Sequence, residues 1–193
     1  MTVNASTDGE GEEPEDTGEV GLSTDTRGFG ANASISGQIN EDEEFFIASD
    51  SSGIPYIYVG DTASRLKVQG FLSFDVSEIA GENVLNAWLN INGSRIGDPN
   101  SLLGVFSVSS TNYGNTLYGR DFGVSTSTLF SQPLSYSDFS FTNEDLKNAV
   151  QDILASDRQY FQVKLGTNNV NVNGVSDGFT FLLSNISLGV SYN

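Results

Sequence analysis

Two neighbouring stretches of this chain alternate apolar and polar side chains with a period of two. Leu72, Phe74 and Val76 mark the first, within 70–79, and Leu85, Ala87, Leu89 and Ile91 the second, within 85–91. Successive side chains of a strand point to opposite faces, so this alternation buries one face and shows the other to solvent. A strand, a short loop and a second strand of this kind form a piece of an antiparallel β-sandwich. Neither stretch carries the residues of a catalytic motif.

The residue types that are absent bound the chemistry further. There is no cysteine, so neither a disulfide framework nor a thiolate metal site can form. There is no histidine, which removes the usual general base, the Ser-His-Asp arrangement and nearly all zinc and copper sites. The net charge of −17, from 25 acids against 8 bases, repels phosphate backbones and anionic lipid. Nucleic acid and membrane surfaces are therefore not the expected partners. No stretch approaches the ~20 apolar residues needed to cross a bilayer as a helix, and no signal-peptide pattern is present.

At 193 residues the chain can hold one sizeable core. Residues 1–28 are rich in Gly, Glu, Asp, Ser and Thr with almost nothing to bury, which predicts a disordered acidic tether or a linker remnant. The folded domain is expected over 29–193, with strands at 33–39, 44–48, 56–60, 70–76, 84–92, 102–108, 139–142, 160–166, 178–184 and 186–192. Turn clusters such as Asn92-Gly93-Ser94 and Gly97-Asp98-Pro99-Asn100 separate several of them. One helix is expected at 143–155. Thr142 is its candidate N-cap, acids occupy the first turn, and Leu146, Val150, Ile153 and Leu154 form an apolar stripe. The fold class that follows is all-β, an antiparallel jelly-roll-like β-sandwich with one short helix.

The order of these pieces resembles the DNRLRE sandwich modules of bacterial and archaeal surface and secreted proteins. The phrase Gln69-Gly70-Phe71-Leu72-Ser73-Phe74-Asp75-Val76-Ser77-Glu78-Ile79 and the following Asn86-Ala87-Trp88-Leu89-Asn90-Ile91 are similar to two phrases of that family. The closing section, through Leu188-Gly189-Val190-Ser191-Tyr192, is similar as well. The likeness spans roughly 45–193. It departs at the family's namesake phrase, which is faint in Asp61-Thr62-Ala63-Ser64-Arg65-Leu66-Lys67, and at 98–141, which is longer than the usual insert. The resemblance implies glycan binding or adhesion at an extracellular or cell-surface location. An acidic segment before such a domain also suits a lipoprotein whose signal and acylated cysteine have been removed.

Candidate site residues come from the polar faces of the strands. If the apolar positions of 85–91 point inward, Trp88 projects outward with Asn86 and Asn90. By the same alternation Phe71 opposes Leu72 and Phe74, and Tyr56 and Tyr58 oppose Ile57 and Val59. Were these strands neighbours, Tyr56, Tyr58, Phe71 and Trp88 would form an aromatic platform edged by Asn86 and Asn90, suited to stacking sugar rings. The alternative is that a helix or the 98–141 insertion covers this face as a second core layer.

Other residues carry weaker signals. A glycoside hydrolase or lyase would need a pair of carboxylates, for instance Asp75 with Glu78 or Asp121 with Asp138, although Asp75 suits a turn cap better. Calcium is the metal that the side chains allow, with Asp50 and Asp98 as candidate ligands in oxygen-rich loops. The acids at 41–44 read as a solvated strand edge. Asn4, Asn32, Asn92 and Asn185 each head an Asn-x-Ser sequon.

The expectation is thus a non-catalytic surface module that binds carbohydrate or another surface polymer. The rival is a structural or adhesive subunit that assembles through edge strands. Ala33, Ile35, Gly37 and Ile39 would then mark a donor strand.

Overall fold

The period-two segments become strands that pair antiparallel throughout, in a computed structural model that describes residues 23–97, 104–133, 138–168 and 174–193. In chain order the strands are β1 (Asp25–Gly30), β2 (Gly37–Asn40), β3 (Phe45–Phe46), β4 (Ala48–Ser49), β5 (Pro55–Asp61) and β6 (Lys67–Asp75). They continue as β7 (Val84–Ile96), β8 (Val105–Thr111), β9 (Ser127–Pro133), β10 (Asp138–Phe141), β11 (Tyr160–Thr167) and β12 (Asp177–Tyr192). A single helix, α1 (Glu144–Leu154), lies between β10 and β11. The molecule is all-β and sandwich-like, as the alternation required.

The main hydrogen-bonded path runs β10-β7-β12-β5-β6-β11-β8-β9. One layer is β10, β7 and β12, with β5 and β1 placed end to end along the far side of β12. The other layer is β6, β11, β8 and β9, with β2 added beside β6. The layers join where β5 meets β6 through only two residue pairs, Gly60 with Val68 and Asp61 with Lys67. Beyond that corner β5 and β6 part, and the Gln38 side chain of β2 accepts the Tyr58 backbone N–H.

Between the layers lies the core. Phe106 stacks on Phe139 with ring centroids 4.3 Å apart, and Phe179 and Phe181 surround them. Leu72, Phe74 and Val76 of the first alternating stretch are buried there, as are Ala87, Leu89 and Ile91 of the second. Leu85 departs from the pattern and is exposed, because the alternation at the start of β7 is carried by buried Val84. The apolar stripe of α1 closes one end of the sandwich, with Leu146, Val150, Ile153 and Leu154 all buried. Its N-cap is Asn143, whose Oδ1 accepts the Leu146 N–H at 2.8 Å. Thr142 is not the cap; the Ala87 carbonyl and Asn86 Oδ1 on β7 share its one hydroxyl proton.

Several elements differ from the sequence expectation: the strand expected at 33–39 is confined to 37–40, that at 44–48 is two short strands, β3 and β4, and that at 102–108 is β8 at 105–111. Among the described residues the first strand is β1, since Asp25–Gly30 pairs residue for residue with 187–192, so 25–28 is strand and not tether. Residues 1–22 lie outside the described residues. The two strands expected at 178–184 and 186–192 are one strand, β12, interrupted by a bulge between Phe181 and Ile186. β9 was not anticipated, because Ser127, Thr128 and Ser131 mask its alternation.

A second, smaller core lies on the outer face of the β6 layer. Ile39, Phe71, Tyr113 and Leu117 pack there with Phe122 and Val124. Buried Gln162 anchors the overlying loop: its Oε1 accepts the Tyr113 N–H and its Nε2 donates to the Gly114 carbonyl. Lys164 donates to the Phe122 and Val124 carbonyls from below. Burial first, and then repulsion from Lys67, pulls that lysine below its ordinary range.

Candidate functional site

Among the described residues, one broad sheet face is left without such a cover. It is the outward face of β10, β7, β12 and β1. Residues directly opposite in an antiparallel pair share a face, so the register lays out three rows. Asn86 stands opposite Ser191, which faces Thr26; Trp88 stands opposite Gly189, which faces Gly28; Asn90 stands opposite Ser187, which faces Gly30. On the other side Ser140 of β10 pairs with Asn90.

At the centre is Trp88, half-buried. A Cβ built on Gly189 would come within 3.0 Å of indole Cε2, Cζ2 and Nε1. Nearly equal approaches to three bonded ring atoms mean that the glycine meets the ring face-on. The indole is thereby seated on backbone, with its width laid across the sheet. Beside it, Gly28 and Gly30 open onto empty space, since a Cβ at either position would meet nothing within 4 Å. The result is an aromatic plate next to a side-chain-free strip.

Amides and hydroxyls frame the plate. The Ser140 hydroxyl donates to Asn90 Oδ1 at 2.7 Å, and the Thr142 hydroxyl donates to Asn86 Oδ1 at 2.8 Å. Both carboxamides are oriented by these bonds, and Asn86 Nδ2 has no protein acceptor among the described residues. Across the three rows there is no charged side chain. Asp138 borders the face, where its Oδ1 accepts the Gly93 N–H at 3.2 Å. In a chain of net charge −17, an uncharged face of this breadth stands apart.

Along β7 and β12 the same face continues into a groove of about 240 Å³ at the β12 bulge, lined by Asn92, Gly93, Ser94, Thr180, Leu182 and Asn185. Tyr56 stands opposite Leu182 and is half-buried.

The expected aromatic platform is therefore split. Asn86, Trp88 and Asn90 share the open face, and Tyr56 flanks its bulged end. Tyr58 is on the same sheet but buried: its ring lies against Gly178 and its hydroxyl donates to the Asp61 carbonyl. Burial, reinforced by the Asp61 and Asp177 carboxylates, pushes that phenol well above the ordinary tyrosine range. Phe71 belongs to the other layer and is 0 % exposed, edge-on to Tyr113 under the 113–124 loop. β6 and β7 lie in different layers, so Phe71 and Trp88 never share a face.

Other expected sites are relocated too. Gly37 and Ile39 are buried strand residues paired with Phe71 and Gln69, while Ala33 and Ile35 sit in the preceding turn, so this segment is not a free donor strand. Asp50 spends its Oδ1 on the Ser52 and Ile54 N–H groups of its own turn. Asp98 lies outside the described residues, among which no cluster of three or more acids fit for a metal occurs.

Asp75 and Glu78 do line one cavity, of about 360 Å³, with Arg27, Asn32 and Ser77, and Gly28 and Gly30 of the open strip border it, so charged side chains adjoin the strip on that side. Glu78, however, is ion-paired to Arg27, and Asp75 accepts from the Ser77 N–H, the Ser77 hydroxyl and Gln159 Nε2. Desolvation, the largest single influence, would raise the Asp75 carboxyl, but those hydrogen bonds together hold it below the usual carboxylate range. A proton-donating acid needs the opposite shift. Asp121 caps the Tyr118 N–H on the outside of one layer, whereas Asp138 borders the face of the other.

Sequence reasoning missed the β1 and β12 contributions to the face. The signal was present in β12, where Ser187, Gly189 and Ser191 alternate with buried Ile186, Leu188 and Val190. No protein-family model matches the chain, and no curated protein is significantly similar to it. Among the described residues no helix is long and apolar enough to cross a membrane.

Proposed function

We propose that this chain is a non-catalytic surface module, similar to the DNRLRE sandwiches, that binds an uncharged carbohydrate polymer outside the cell through the face around Trp88. One observation carries the reading. A single tryptophan, seated face-on over Gly189, is framed by Asn86, Asn90, Ser187 and Ser191 on an uncharged face of a strongly acidic protein. The apolar faces of sugar rings stack on such a plate, and amides and hydroxyls replace the water lost by sugar hydroxyls. An anionic ligand would meet the repulsive field of the whole chain. The depressed Asp75 carboxyl and the paired Glu78 support a role without acid catalysis.

The test is intrinsic fluorescence, for which Trp88 is the sole tryptophan. Soluble uncharged polysaccharides, titrated with and without calcium, are expected to shift and saturate its emission. In calorimetry Trp88→Ala should lose at least tenfold in affinity, equivalent to about 1.4 kcal/mol. Emission that stays unmoved across the panel, with no heat of binding, would remove the carbohydrate reading.

A second reading rests on a different surface. Phe45, Phe46, Ile47 and Ile54 are exposed (43, 37, 44 and 39 %) on and beside β3 and β4, each of which pairs with a neighbour on one side only. Apolar, unpaired edges are sites of strand-to-strand association. An adhesive or self-assembling subunit would use this edge, and concentration-dependent sedimentation abolished by Phe46→Lys would favour it.

A further inference from the structure

β7 carries its outward side chains in one line: Trp88, Asn90, Asn92 and Ser94. β12 follows it until the register slips, with Phe181 opposite Gly93 but Ile186 opposite Ile91. Four residues of β12, 182–185, thus stand against Asn92 alone. A bulge of this kind bends its strand and interrupts the ladder, and here it opens the groove lined by Asn92, Ser94, Thr180, Leu182 and Asn185. The groove lies ~17 Å from Trp88 along the strand, at about 3.3 Å per residue. That span is longer than a disaccharide.

The groove's lining has the same chemistry as the plate. Leu182 supplies an apolar patch; Asn92 and Asn185 supply amides; Ser94 and Thr180 supply hydroxyls, with Thr180 Oγ1 held toward the Ser94 carbonyl at 3.4 Å. No charged side chain lines the groove itself, and Asp138 of β10, opposite Asn92, stands at its border. Beside Trp88 a Cβ at Gly28 or Gly30 would meet nothing within 4 Å, although both glycines also line the neighbouring cavity of Asp75 and Glu78.

We propose that the bulge groove is a second subsite on one continuous track, and that the ligand is an internal stretch of a linear, uncharged polysaccharide lying along β7 from Trp88 to Leu182. This rests on the carbohydrate reading of the Trp88 face and adds to it the length and form of the ligand. Asn92 and Asn185 both head sequons, so an attached glycan would fill the groove, and the protein for the test is made in a host without N-glycosylation.

The probes are cello-, manno- and xylo-oligosaccharides from disaccharide to hexasaccharide, titrated by calorimetry. At least one series should gain about tenfold or more in affinity between the disaccharide and the hexasaccharide. Asn185→Ala, at an exposed residue, and Leu182→Ala, at a half-buried one, should each reduce hexasaccharide affinity severalfold and leave disaccharide affinity unchanged, with circular dichroism confirming the fold. Equal affinity for short and long ligands, or variants that leave the length dependence intact, would overturn the second subsite while the Trp88 site stands. If no series binds and Trp88 emission stays still, the carbohydrate reading falls and takes the subsite with it.

Discussion

Trp88 meets Gly189 face-on across the β7–β12 ladder, and no side chain larger than hydrogen fits between them. Aromatic cover of a strand glycine compensates for the side chain the glycine lacks. It also presents the second face of the ring outward.

Gly189→Val should therefore lift the indole and overpack the site, at a cost of about 1–3 kcal/mol. The expected readout is a red-shifted Trp88 emission with a lowered denaturation midpoint and a weakened saccharide response. Unchanged emission would mean that the ring is not held by this contact.

Phe71 and Trp88 were grouped by sequence, and the structure places them apart, Phe71 buried in one layer and Trp88 half-buried on the outward face of the other. Phe71→Ala should cost about 3–5 kcal/mol, the range for a buried phenylalanine, and expose the 113–124 loop to proteolysis. Ligand binding by the fraction that remains folded should be unaltered. Trp88→Ala should do the reverse, abolishing binding with only a small loss of stability. A binding defect in folded Phe71→Ala would contradict the placement of these residues in separate layers.

Two phenols should report the fold at alkaline pH. Burial is the main cause that raises Tyr58 and Tyr113, with the Asp61 and Asp177 carboxylates adding to it at Tyr58 and Asp121 adding at Tyr113. Above the ordinary value of 10.0 the unfolded chain releases protons that the folded chain keeps. Stability is thus full below that pH and falls as pH rises beyond it. Lys164, lowered in the folded state, acts in the opposite sense up to its ordinary value, but it is partly solvated and set against two phenols. Phenolate absorbance should show Tyr58 and Tyr113 ionising only as the protein unfolds. Titration of all the tyrosines together in the folded state would contradict their burial.

The helix N-cap is set by one side chain. Asn143 Oδ1 accepts the Leu146 N–H, and its Nδ2 donates to the Leu129 carbonyl. Asn143→Ala should cost about 1 kcal/mol or somewhat more, measured by urea denaturation. Thr142→Val should disturb Asn86 instead, because the Thr142 hydroxyl reaches across to β7. Equal losses from both would mean that the cap is shared.

Much of the inward pattern was readable. Leu72, Phe74, Val76, Ala87, Leu89 and Ile91 are all core, and the stripe on α1 is buried as its spacing required. Asp75 caps the turn after β6 through its Ser77 contacts, as its position suggested. β1 was lost because Arg27-Gly28-Phe29-Gly30 offers one apolar side chain, too few for a periodic signal, and acquires strand form only by pairing with β12. The bulge in β12 was invisible for a similar reason: it is a mismatch between two strands, and neither strand alone encodes it.

What the sequence by itself determined is which side of the clearly alternating segments, 72–76 and 87–91, turns inward, and which chemistries are unavailable to a chain without histidine or cysteine. Alternation is a local property of extended backbone, so a few adjacent residues suffice to set it. Only the tertiary structure decided which outward faces stay open. Phe71 and Trp88 are equivalent by alternation, yet the 113–124 loop covers one and nothing among the described residues covers the other. That difference arises from pairings between segments far apart in the chain, Gln162 with the Tyr113 loop and β7 with β12, whose contacts outweigh any preference the local sequence expresses.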